Sequence, residues 1–91
     1  MGERKLTDDM VATWLIQECA EVQQAATKCL IYGFNQGWHG YGRNNDVLSK
    51  EVGDLLGIVG ELRKRGMLTA SLVESARRTK VDRMKKSLVR P

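Results

Sequence analysis

The chain has 91 residues, 42% hydrophobic and 29% charged, and carries a formal net charge of +4. This length predicts a single domain, residues 1–91, that is small for burying a full core, so we expect association to complete it. No stretch resembles a signal peptide or runs to about 20 apolar residues, which argues against a membrane span and favours a soluble, cytoplasmic protein.

Charge is divided unevenly along the chain. Residues 1–62 carry five basic and nine acidic side chains, whereas residues 63–91 carry ten basic and two acidic ones. The basic part is suited to a polyphosphate, a nucleic acid or an acidic partner.

Apolar residues at helical spacing predict a first helix that runs to about Tyr32. Thr7 or Asp8 is expected to cap its start, and Gly33 is expected to end it. Cys19 and Cys29 both fall on this helix, about 15 Å apart at 1.5 Å per residue, which is too far for a disulfide between them.

Residues 33–43 predict a loop, because four glycines are interleaved there with three aromatic residues and the single histidine. A loop of this length in a small domain is usually functional or disordered. Its aromatic residues indicate a contact with a nucleobase, with a partner subunit or with the domain itself. His39 has no matched nucleophile or metal ligand in the sequence, so we assign it no catalytic role.

Two further helices follow. The second is expected to be capped by Asn44, Asn45 or Asp46 and to end at Gly66. The third is expected to open at Thr69 or at Ser71, where residues 71–74 fit a capping box. The prediction is an all-α chain of three main helices, forming a helical bundle that oligomerisation completes.

Two acidic pairs stand out on the first two helices: Glu18 with Glu21, and Glu51 with Asp54. The members of each pair are three residues apart and so share a helix face. Each pair also falls on or beside the stripe that should be buried, formed by Trp14, Glu18, Glu21, Ala25 and Lys28 in one helix and by Val47, Glu51, Asp54 and Ile58 in the other.

Four converging carboxylates repel one another unless some are protonated or cations lie between them. Oxygen ligands select hard cations, and Mg²⁺ with a phosphate substrate is the common pairing. The alternative is that each pair forms an ordinary solvated edge beside the core.

The segments around both pairs resemble the MazG-like, all-α nucleoside triphosphate pyrophosphohydrolases. Residues 17–22 (QECAEV), together with Lys28 and Tyr32-Gly33, resemble the first-helix segment of small MazG-like proteins, including phage members. Residues 50–56 (KEVGDLL) resemble the second segment, and residues 65–68 (RGML) with Ala76 and Lys80 resemble the turn and the last helix. The likeness covers roughly residues 10–86.

This resemblance implies hydrolysis of a (deoxy)nucleoside triphosphate to the monophosphate and pyrophosphate, as nucleotide-pool housekeeping, by a homodimer or homotetramer. It implies Mg²⁺ as the cofactor, with Mn²⁺ as a substitute. The catalytic residues and metal ligands would be Glu18, Glu21, Glu51 and Asp54.

The candidate substrate-binding residues are Lys28, which shares the stripe of the first acidic pair, Lys80 and Arg83 on one face of the last helix, and Trp38 and Tyr41, which can stack a base. Ile31 and Arg77 depart from the family pattern, which has a basic residue at the first position and an asparagine at the second. These departures leave the metal site intact and the identity of the base open.

Two rival hypotheses remain. One is a non-catalytic nucleic-acid-binding protein that uses the basic last helix, although the sequence shows no helix-turn-helix signature. The other is a structural dimerisation module. Both leave the four carboxylates without a role, so we do not expect nucleic acid as a partner. The lack of a long apolar stretch argues against a membrane partner.

Overall fold

The structure, a computed structural model, describes residues 4–37 and 42–88. It consists of three α-helices: α1 (Asp8–Tyr32), α2 (Asn44–Lys64) and α3 (Ala70–Lys86). The prediction of an all-α chain with three main helices is confirmed. Each of these helices is too short or too polar to span a bilayer.

The ends of α1 are set by the two residues that the sequence indicated. Thr7 is the N-cap, and its hydroxyl oxygen accepts a hydrogen bond of 3.2 Å from the N–H of Met10. At the other end Gly33 has a φ of 100°, and its N–H donates to the carbonyl of Cys29. Because an L side chain rarely adopts this φ, glycine suits the position where the chain leaves the helix.

The start of α2 differs from the prediction. Arg43 is the N-cap and makes no capping hydrogen bond with its side chain, so the predicted cap at Asn44, Asn45 or Asp46 is wrong. The loop supplies acceptors instead. The N–H of Asn44 donates to the carbonyl of Gln36 over 2.7 Å, and the N–H of Asn45 donates to the carbonyl of the residue two positions before Gln36. Backbone carbonyls thus satisfy donors that a side-chain cap would otherwise satisfy.

The loop is closed at its neck by a single antiparallel bridge between Gly37 and Arg43. A Cβ on Gly37 would lie 2.4 Å from the carbonyl oxygen of Gly42. The two backbone segments at the neck therefore approach so closely that only glycine fits at position 37. The predicted loop residues Trp38, His39 and Tyr41 lie outside the described residues.

Gly66 follows the C-terminus of α2, as predicted. It has a φ of 72°, and its N–H donates to the carbonyl of Arg63, while the N–H of Met67 donates to the carbonyl of Leu62. These two bonds form a Schellman motif.

Thr69, one of the two predicted residues, is the N-cap of α3. Its carbonyl accepts from the N–H groups of Leu72 and Val73. The predicted capping box at residues 71–74 is wrong, because the helix begins one residue before Ser71. Glu74 pairs with Arg77 along the helix instead.

α1 and α2 pack against each other as an antiparallel pair. The buried apolar residues of the described chain lie on these two helices: Val11, Ala25, Cys29 and Leu62. Both cysteines are free thiols, as the spacing predicted.

Arg65 ties the end of α2 to the start of α1. Its guanidinium donates to Asp8 Oδ1 over 2.9 Å and to the carbonyl of Leu6 over 2.7 Å, and it also pairs with Glu61 over 2.8 Å. This three-way contact fixes the register of the helix pair, and therefore the height at which residues of α1 meet residues of α2.

α3 is largely uncovered by the rest of the described chain. None of its described residues is buried, and Leu72, Val81 and Met84 are each more than half exposed. The radius of gyration is 16.8 Å, against about 12 Å for a compact chain of this length. The packed unit is therefore the α1–α2 pair, and α3 extends from it with its apolar side open.

Candidate metal centre

Each helix of the packed pair places one carboxylate in the seam between them. Glu18 lies seven residues from both Val11 and Ala25, the buried residues of α1 on either side of it, and is only 6% exposed. Glu51 is half-buried on α2, one turn from the half-buried Leu55. The apolar seam is thus interrupted at one level by a pair of acids that face each other.

Asp54 completes a group of three. One carboxylate oxygen from each of Glu18, Glu51 and Asp54 lies within 4.8 Å of the others, a separation that one cation can bridge. Glu21 lies at the exposed edge of the same group, where the charge of Glu51 raises its pKa. We call these four residues the acid cluster.

The prediction that both acidic pairs lie on or beside the buried stripe holds for one member of each pair. Glu21 and Asp54 are exposed, and so are Trp14 and Lys28. The physical reason is that α1 has a single helical neighbour in this chain. One neighbour buries a narrow stripe, and residues three positions apart cannot both sit at its centre.

Two oxygens at the centre of the cluster have no hydrogen-bond partner among the described residues. They are Glu18 Oε2 and Glu51 Oε2, and both are buried. A buried polar atom is normally paired, because leaving it unpaired forfeits its hydration without replacement. Two acceptors that face each other can be satisfied by a shared proton or by a cation.

The pKa values describe the case of the shared proton. The pKa of Glu18 is raised to about 7 by its hydrogen bond with Glu51, by burial, and by the negative charges of Glu51, Glu21 and Asp54. The pKa of Glu21 is also raised, chiefly by a hydrogen bond to Glu51 and by the charge of that residue. The pKa of Glu51 is lowered, because Glu18 and Glu21 donate to it. Glu51 therefore keeps its charge while Glu18 holds the proton.

Lys50 offsets part of this charge from outside. Its Nζ lies 3.1 Å from Asp54 Oδ2 and 3.6 Å from Glu51 Oε1, while its side chain remains 71% exposed. Sequence reasoning missed this role, although the spacing of four residues between Lys50 and Asp54 is the usual signal for a helical ion pair. The ammonium reaches the rim and leaves the two inner oxygens unpaired.

These pKa directions predict how stability depends on pH without metal. Because the folded state raises the pKa of Glu18 from 4.5 to about 7, its stabilisation is complete below pH 4.5 and is lost as the pH rises through 7. The raised pKa of Glu21 acts in the same direction, whereas the lowered pKa of Glu51 matters only below about pH 4.5.

We therefore expect the melting temperature in EDTA to fall between pH 5 and pH 8, and to fall less in Glu18→Gln. The difference between the two proteins reports the titration of Glu18 together with the part of the Glu21 shift that depends on Glu18. A profile that rises over this range, or one that Glu18→Gln leaves unchanged, would contradict the assignment.

A cleft of about 890 Å³ lies between α1, α2 and the neck of the loop, and its lining begins at Ala25 and Val47, one helical turn from Glu21 and Glu51. It is lined by Ala25, Lys28, Tyr32, Gln36, Gly37, Gly42, Asn44 and Val47. Lys28, predicted to meet a phosphate, is one of the lining residues and follows Glu21 by seven residues along α1. Sequence reasoning missed Gln36 and Asn44, because only the folded loop brings them next to α1.

Lys80 and Arg83, the other predicted substrate-binding residues within the described part of the chain, do not line this cleft. Lys80 and Arg83 are exposed on α3 and form no salt bridge with a described carboxylate. Trp38 and Tyr41 lie outside the described residues, so their predicted stacking role stays a prediction.

Comparisons with known protein families, with curated proteins and with solved structures find no match for this chain. The resemblance to the MazG-like enzymes therefore stays a prediction, and the acid cluster and the cleft have to carry the functional argument by their own chemistry.

Proposed function

We propose that this protein is a nucleoside triphosphate pyrophosphohydrolase that depends on Mg²⁺, or on Mn²⁺ in its place. The observation that carries the proposal is the pair of buried, unpaired oxygens on Glu18 and Glu51, with Asp54 within 4.8 Å. A site made only of carboxylates suits a hard divalent cation, and such cations commonly serve phosphate chemistry.

The residues present fit such a cation. Glu18, Glu51 and Asp54 would hold it, and Glu21 at the exposed edge can complete the set or hold a second cation. When bound, the metal offsets the charge that develops on the phosphate oxygens and makes a coordinated water more acidic.

The remaining tasks fall to side chains of the chain itself. Hydrolysis adds water across the anhydride between the α- and β-phosphates, so one proton must be accepted as the water oxygen bonds to phosphorus. One carboxylate of the acid cluster would accept it. Lys28 lines the cleft, where its ammonium would pair with the triphosphate.

The test is pyrophosphate release from the eight standard ribo- and deoxyribonucleoside triphosphates, with Mg²⁺ and with EDTA. We expect release from at least one of them with Mg²⁺ and none with EDTA. If folded protein and Mg²⁺ release no pyrophosphate from any of the eight, the proposal fails for standard nucleotides.

We further propose that a second copy of the chain covers the apolar side of α3. This side includes Val81 and Met84, which lie one helical turn apart and are both exposed in the single chain. Because burying such side chains is the main favourable term in association, a chain with so small an internal core gains most by pairing with itself. Lys80 and Arg83 form no salt bridge with the acid cluster of their own chain, and association could bring them close to the acid cluster of a partner.

We expect sedimentation to give at least twice the chain mass of 10.2 kDa, and Val81→Glu to shift the protein towards the monomer and lower its melting temperature. Thr79→Glu is the matched control, because Thr79 lies on the opposite face of α3 and is exposed. A wild-type monomer at tens of micromolar, or equal effects of the two variants, would contradict the proposal.

A further inference from the structure

The cleft extends along the α1–α2 pair from the acid cluster towards the loop. On α1, Lys28 and Tyr32 follow Glu21 by seven and eleven residues, about 10 and 16 Å along the helix axis. On α2, Asn44 precedes Glu51 by seven residues, again about 10 Å. Since α1 and α2 are antiparallel, both walls of the cleft run from the carboxylates towards the loop. A triphosphate held at the carboxylates therefore directs its nucleoside into the cleft.

The loop end of the cleft is unsuited to phosphate. Arg43, the nearest cation there, is paired with Asp46 at 3.2 Å. The N-terminus of α2 is closed as well, because the N–H groups of residues 44–47 all donate to backbone carbonyls of the loop. Lys28 is the one cation among the described residues that line the cleft. The negative charge of the phosphates is thus matched by the cation that the acid cluster would hold and by Lys28. The uncharged part of the ligand is left for the loop end.

The loop end offers the groups that recognise a base. Tyr32 is 65% exposed, and it lines the cleft from α1 as Val47 lines it from α2, so the two provide apolar surface. Gln36 lines the same cleft from the loop, and its backbone is fixed by the hydrogen bond that its carbonyl accepts from the N–H of Asn44. The side chain of Gln36 makes no hydrogen bond with a described residue, and an amide presents both a donor and an acceptor.

Asn44 adds a fixed acceptor. Its Nδ2 donates to the carbonyl of Gly33 over 2.9 Å, which leaves Oδ1 to accept from a ligand. A site built from such groups discriminates among bases, because the wrong base leaves a donor or an acceptor unpaired.

We propose that this cleft binds the nucleoside half of the substrate, with its base at the loop end, and that Gln36 determines which base is accepted. The proposal rests on the pyrophosphohydrolase function proposed above. It places base recognition on α1, α2 and the neck of the loop, on residues that sequence reasoning did not assign to substrate binding.

The test compares Gln36→Ala and Val47→Phe with the control Gln24→Ala, which removes an exposed amide from α1 outside the cleft. For the eight standard nucleotides, Gln36→Ala should narrow the ratio of the best to the worst kcat/KM by about 10-fold or more, the discrimination that a bidentate amide contact provides. Val47→Phe fills the cleft and should raise KM for all eight. The melting-temperature rise with Mg²⁺ should persist in all three variants, which shows that each is folded and keeps its carboxylates.

The outcomes separate this proposal from the one it rests on. If the wild type releases pyrophosphate and Gln36→Ala ranks the nucleotides as Gln24→Ala does, base recognition by Gln36 is overturned while the reaction stands. If the wild type releases none, binding of the same nucleotides with Ca²⁺ is measured by calorimetry. Binding that Val47→Phe abolishes supports the cleft, whereas no binding, or equal binding by both proteins, overturns it.

Discussion

Glu51→Gln is expected to lower kcat/KM for nucleotide hydrolysis by at least about 100-fold, since even the outer partners of metal ligands are worth about 10–100-fold. It should also abolish the rise in melting temperature that Mg²⁺ produces. Glu51 provides one of the two buried, unpaired oxygens and is the cluster member whose pKa is lowered. Glutamine keeps the shape of the side chain and removes the charge that a cation requires.

The same variant carries its own folding control. Without metal at pH 8, the amide of the glutamine can donate to Glu18, where the wild type sets two negative charges against each other. The metal-free variant should therefore melt at or above the temperature of the wild type. Asp9→Asn, at an exposed acid on α1 away from the cluster, should change neither activity nor the Mg²⁺ effect. Activity within a few-fold of wild type in Glu51→Gln would remove Glu51 from the mechanism.

Leu62→Ala should be among the most destabilising single substitutions in the chain. Leu62 is 3% exposed and is the buried apolar residue that α2 contributes to the seam. Truncating a buried leucine to alanine costs about 2–5 kcal/mol through lost burial and the cavity that remains. For a domain of this size that corresponds to a fall in melting temperature of about 10 °C or more.

Lys64→Ala is the matched control, because it changes an exposed residue two positions further along the same helix and should stay within about 0.5 kcal/mol of wild type. Both variants are measured by denaturant unfolding at one protein concentration, since association would make stability depend on concentration. A loss below 1 kcal/mol for Leu62→Ala would mean that the α1–α2 seam contributes little to the fold.

Sequence reasoning succeeded where the signal is local. Thr7, Gly33 and Gly66 each act within a few residues of their own position, through a hydroxyl that caps a turn or a backbone that tolerates positive φ. It failed at the start of α2, because the acceptors there belong to Gln36 and a loop neighbour, eight or more residues away along the chain. No local sequence pattern predicts that carbonyls of a folded loop will replace a side-chain cap.

For the candidate site too, sequence reasoning predicted the local features and missed those that depend on how the helices pack. Spacing predicted that each acidic pair shares a face and that the two pairs belong together. It did not predict that Glu18 and Glu51 would take the centre while Glu21 and Asp54 stayed at the edge, because that depends on the crossing of α1 and α2. For α3, periodicity predicted an apolar side, but a pattern does not say whether the same chain or another copy covers it.

Binding of a divalent cation by the acid cluster can be measured by titration with Mn²⁺ followed by electron paramagnetic resonance. Mn²⁺ takes the oxygen ligands that suit Mg²⁺, and the signal of the free ion counts bound metal without reference to any substrate. We expect saturable binding of at least one ion per chain at pH 8, lost in the double variant Glu18→Gln/Glu51→Gln. Binding that is absent from the wild type, or unchanged in the folded double variant, would contradict it.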